Sequence, residues 1–117
     1  MTILDRETQT LLDNASFNSE FIRELVTFAD KALGPKTKRI FRIIASELMN
    51  FSEDITLTWL AMQLKKRHSI PLSTAKWYIR KLLNIGLISG CRGKHPRLTK
   101  LGLILYLCWR DELEEAL

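Results

Sequence analysis

Long hydrophobic runs, paired cysteines and clustered glycines are all scarce in these 117 residues. The longest apolar run, Leu101 to Trp109, is far shorter than the roughly 20 residues a membrane-spanning helix needs, so no membrane partner is expected. Two cysteines, Cys91 and Cys108, have neither CxxC spacing nor a histidine cluster beside them. That excludes a recognisable zinc site, and no metal or other cofactor is expected. Isolated cysteines suit a reducing compartment, and "MTILDRETQT" is acidic where a signal peptide would be basic and then apolar. A cytoplasmic protein is therefore the expectation. There is no glycine loop to cradle a phosphate, no nucleophile–base pair and no ligand spacing for a metal, so an enzyme is not expected.

Acidic residues are also scarce, but only in the middle of the chain. Residues 35–100 hold fourteen basic and three acidic side chains, a net of +11, whereas 1–34 and 101–117 are each at −3. A basic middle between two acidic ends points to a polyanionic partner bound by the middle alone. A chain of this length is expected to form one domain, 1–117, with a core of its own.

Periodicity divides the chain into helices. A short one is expected over about Thr2 to Asp13. A second follows "DNASFNS", with Phe17, Phe21, Leu25, Phe28, Ala29 and Ala32 as its apolar stripe, and "GP" at Gly34 and Pro35 stops it. The third, about Lys36 to Met49, buries Ile40, Ile43, Ile44 and Leu48, and Lys36 and Lys38 are among the cations leading its polar side. Ile55 to Leu57 is a candidate short strand. Thr58 is placed to cap a helix that ends in "KKRH", where cations also suit the negative end of the helix dipole. Ser73 opens another helix, which Gly86 ends. "SGCRGKHPRLT" then reads as a β-hairpin with a basic tip, and Thr99 caps a last helix.

Three stretches in that order carry a resemblance. "ITLTWLAMQL" looks like a strand and the second helix of a winged helix-turn-helix, and "STAKWYIRKLLNIGLI" looks like its recognition helix and exit. "LTKLG" resembles the outgoing wing strand and the start of the next helix. The match covers about Lys36 to Gly102. It implies a mainly α fold with a small β-hairpin wing: an N-terminal helical arm over 1–34, a winged helix-turn-helix core over 35–99 and a C-terminal helix over 100–117. The outer helices resemble those of dimeric members such as the multiple-antibiotic-resistance-regulator family and small archaeal winged-helix regulators, which implies a homodimer.

What the resemblance implies for function is sequence-specific binding of double-stranded DNA by a transcriptional regulator. The other reading is a winged-helix protein-interaction module in a transcription or chromosome assembly. No small-molecule effector is singled out. On a helical wheel Ala75, Ile79 and Leu82 share the core side, while Ser73, Trp77, Arg80 and Asn84 lie opposite and Lys76 and Lys81 flank them. In the motif this helix enters the major groove, so Ser73, Thr74, Lys76, Trp77, Arg80 and Lys81 are the expected contacts. Arg92, Lys94, His95 and Arg97 on the wing are expected to meet the backbone or minor groove, with Lys36 and Lys38 in support. Cys91 beside Arg92 and Lys94 is either an idle thiol or a redox-sensitive one. Three roles stay open for Trp77: contact with a thymine methyl or sugar, packing under the wing or a neighbouring chain, or stacking on unpaired bases. The dimer interface is expected at Phe21, Leu25, Phe28, Leu103, Leu105, Leu107 and Trp109, because the last helix is apolar on nearly every side.

Overall fold

The computed structural model describes residues 19–50, 55–90 and 95–116, with side chains at 20–50, 55–90 and 95–110. The expected helix over Thr2 to Asp13, together with Phe17, Cys91, Arg92 and Lys94, lies outside them. The described chain is mainly helical, with a small two-stranded antiparallel sheet. No helix among these residues is long and apolar enough to cross a membrane.

Helix α1 spans Ser19–Asn50 and is two helices joined at a kink, where Gly34 has φ 78° and ψ 163°. The next residue explains the kink. Pro35 has no N–H to donate and disfavours helical geometry in its predecessor, so glycine takes the positive φ and proline starts the second half. The "GP" break is thus where the sequence put it, but the chain resumes as helix at once. Lys38 and Asp30 pair across the kink at 2.6 Å.

Helix α2 covers Leu57–His68 and α3 covers Leu72–Ile85. The cap of α2 is Thr56, whose hydroxyl accepts from the Trp59 amide at 3.0 Å, and not Thr58. Ile55 and Thr56 form no strand, and Leu57 is already helical. The Ile55 carbonyl instead accepts from the His95 imidazole Nδ1 at 2.9 Å, so a side chain replaces the ladder bond a strand would make. Ser69 ends α2 in the left-handed conformation at φ 56°, and Gly86 ends α3 at φ 86° with its amide donating to Leu82 and Leu83. Helix α3 starts at Leu72, one residue before Ser73, after Pro71, with no side-chain cap.

Strands β1 (Ile88–Ser89) and β2 (Arg97–Leu98) pair Ile88 with Leu98 and Ser89 with Arg97. Helix α4, Lys100–Ala116, follows at once. Thr99 caps it, accepting from the Gly102 amide at 3.0 Å while its hydroxyl reaches back to the Gly86 carbonyl at 2.7 Å. One side chain thereby ties the start of α4 to the end of α3.

Phe41, Ile44 and Ala45 of α1, Leu60 and Leu64 of α2, Ala75, Ile79 and Leu82 of α3, Ile88, Leu105 and Trp109 form one core. Phe41 and Trp109 meet edge to face with centroids 5.7 Å apart. This corrects the interface expectation for Leu103, Leu105 and Trp109. Leu105 and Trp109 are buried inside their own chain, at 2 % and 0 % exposure, because α4 packs against α1. Leu103 is buried too, at 8 %. The stripe on the first half of α1 is also turned. Leu25, Val26, Ala29 and Leu33 face the core, leaving Phe21 and Phe28 at 60 % and 70 % exposure. Positions 21, 25 and 28 share a helical face, but the buried face is rotated from it by roughly a quarter-turn.

Candidate nucleic-acid interface

Helix α3 turns Ala75, Tyr78, Ile79 and Leu82 inward. Since successive residues advance about 100°, the opposite side must carry Ser73, Lys76, Trp77, Arg80 and Asn84, and all five are exposed. No acidic residue occurs anywhere in α3. The result is a strip of hydroxyl, two cations, an indole and an amide along one face.

The two edges of this strip differ. On one, Lys76 and Arg80 rim a recess of about 240 Å³ that is floored by Leu57, Ile79 and Leu83 and bounded by Thr58. Leu57 and Thr58 are the first residues of α2, so the positive end of that helix dipole adds to the two side-chain charges. On the other edge stand Trp77 and the half-buried Lys81. The Lys81 ammonium donates to the Thr37 hydroxyl at 3.2 Å and lies 5.1 Å from the Trp77 ring centroid. Lys81 is therefore a brace between α3 and α1, in contrast to the outward-facing contact its place on the wheel suggested. Thr74 is half-buried at the helix start.

Elsewhere the expected cations separate into free and engaged. Lys36 is exposed. Lys38, however, pairs with Asp30 and lies 4.9 Å from the centroid of the Trp109 ring, so it shields the core instead of facing a ligand. Arg97 is exposed on β2, whereas His95 uses Nδ1 to hold its arm of the hairpin to Ile55. Of "KKRH", Lys65 and Lys66 are exposed, and Arg67 and His68 reach Glu47 at 3.4 and 3.1 Å. Glu47 is 5 % exposed and is the polar anchor between the second half of α1 and the end of α2.

Thr37 and Glu47 are the site-shaping residues that periodicity missed. Glu47 did leave a signal, as the single acid of residues 35–52 among four cations. A carboxylate is seldom buried unless paired, and Glu47 is paired with Arg67 and His68. Thr37 left none, because its partner is 44 residues away. No group of three or more His, Cys, Asp or Glu that could hold a metal ion occurs among the described residues. Cys108 is half-buried in α4. No protein-family model matches the chain, and neither a curated protein nor a solved structure shows a significant match to it.

Proposed function

We propose that the chain binds double-stranded DNA with sequence preference, as a winged helix-turn-helix transcriptional regulator of the cytoplasm that acts as a homodimer. The observation that carries this is the exposed strip of Ser73, Lys76, Trp77 and Arg80 on a helix without acidic residues, beside the start of α2. In this reading α3 lies in the major groove, the β1–β2 hairpin follows the backbone, and the start of α2 meets a phosphate. Arg80 has the fork for a guanine edge, and Lys76 suits a phosphate. The Phe21 and Phe28 side chains are exposed, as contact with a second copy requires.

The same exposed pair also favours a second reading, a winged-helix module that docks on another protein of a transcription or chromosome assembly. Titration of a labelled duplex at 50 and 200 mM salt separates the two. Binding through about six phosphates weakens on the order of a thousandfold across that range. A flat salt response, or no binding at low salt, leaves only the interaction module.

A further inference from the structure

Trp77 is more than half exposed (54 %) on a helix whose neighbouring aromatic, Tyr78, is buried. It is nonetheless held on two sides. Tyr78 meets the indole edge to face, with centroids 4.8 Å apart and rings at 89°. Lys81 lies over the ring, and its ammonium is itself tied to Thr37, a residue 5 % exposed on α1. A buried tyrosine and a tethered cation thus order the indole before any partner arrives. A partner that packs on it loses little side-chain entropy in doing so.

Its surroundings select that partner. Lys76 and Arg80 flank Trp77 on the exposed strip, so an apolar protein surface docking there would have to bury or displace two cations. A second copy of the chain meeting this strip with its own would oppose like charges. Lys81 lies over one ring face, which leaves at most the other for an unpaired base and rules out sandwiching the indole between two. A duplex, by contrast, supplies phosphates to the cations, and among the groups that distinguish base pairs in its major groove the thymine methyl is the apolar one.

We propose that Trp77 is a specificity-determining residue that packs on the C5-methyl group of a thymine. The inference rests on the duplex-binding reading above. Its test starts from the tightest-binding duplex recovered from a randomised pool. Each dT is replaced singly by dU, which removes the methyl and leaves pairing intact, and binding is followed by fluorescence anisotropy at constant salt. At one or two positions dU is expected to weaken wild-type binding about fourfold, the worth of one buried methyl. Trp77→Ala should bind the dT and dU duplexes equally. Trp77→Phe, which keeps an aromatic edge against Tyr78 if the alanine variant does not fold, should bring their ratio nearer to one.

Wild-type binding indifferent to dU at every position overturns the proposal while duplex binding stands. So does an unchanged dT/dU ratio in the variants, or single strands bound more tightly than duplex in a Trp77-dependent way. If the wild type binds no duplex at all, both this inference and the reading beneath it fall.

Discussion

Lys76 and Arg80 carry the same charge, but they offer DNA different things. Guanidinium is a planar fork that matches a guanine edge, and ammonium is a point charge that suits phosphate without regard to sequence. In the proposed reading Arg80→Ala weakens the preferred site by about 1–3 kcal/mol and narrows the gap to random duplex. Lys76→Ala and Arg97→Ala should weaken both duplexes alike and flatten the salt dependence by about one phosphate each. Affinities on preferred and scrambled duplexes at several salt concentrations decide this; equal losses for Arg80→Ala on both would remove base reading by α3. Which side of α3 faces out was legible, since a single helix sets it by rotation alone. Which of the expected cations are engaged was not. Lys81 and Lys38 are engaged by Thr37 and by Asp30 and Trp109, and only packing brings those groups together.

At the scale of elements, the chain junctions carry the strongest local signals and the sharpest stability expectations. Gly102 is buried in the first turn of α4, where any Cβ would collide with the Leu87 carbonyl oxygen. Both partners are backbone, so neither can swing aside. Gly102→Ala should therefore destabilise by about 2–3 kcal/mol or more despite the better helix propensity of alanine, and denaturant unfolding measures it. A neutral or stabilising result would mean that α4 can slide off the hairpin. Ser69 gives the opposite sign. It holds φ 56° without being glycine, so Ser69→Gly relieves backbone strain and should stabilise by about 0.5–1 kcal/mol in the same experiment. Gly86, Thr99 and the Gly34–Pro35 break were readable because each marks its junction through its own chemistry. Thr56 was missed in favour of Thr58 because two threonines flank Leu57, and the difference between them is set by where Ile55 is anchored.

For the whole molecule, the open question is what covers Phe21 and Phe28. Two phenylalanines exposed one above the other on the first half of α1 form an apolar surface with no partner in the described chain. In the proposed homodimer they meet their copies. Replacing both with serine should leave the fold intact, since neither belongs to the core, and should convert a dimer into a monomer near the chain mass of 13.6 kDa by light scattering. Wild-type protein already at that mass, unchanged on dilution, would end the dimer proposal. Loss of one copy should also weaken binding to a two-half-site operator far more than to a single half-site.

By itself the sequence determined the mainly helical class, the break at Gly34–Pro35, the stop at Gly86, the small hairpin and the outward side of α3. These follow from hydrophobic period, from the backbone chemistry of glycine and proline and from hydroxyl caps, all of which act within a turn or two of chain. Tertiary structure decided the rest. It placed Trp109 and Leu105 in the core instead of at an interface, because α4 found α1 within the same chain. It turned the first half of α1 so that Ala29 faces inward and Phe28 outward, a choice between adjacent faces that only the packed partner resolves. It also sorted the cations into those held by Glu47, Thr37 and Asp30 and those left on the surface. Periodicity gives each helix a direction to bury. What that face meets is settled only when residues tens of positions apart come into contact.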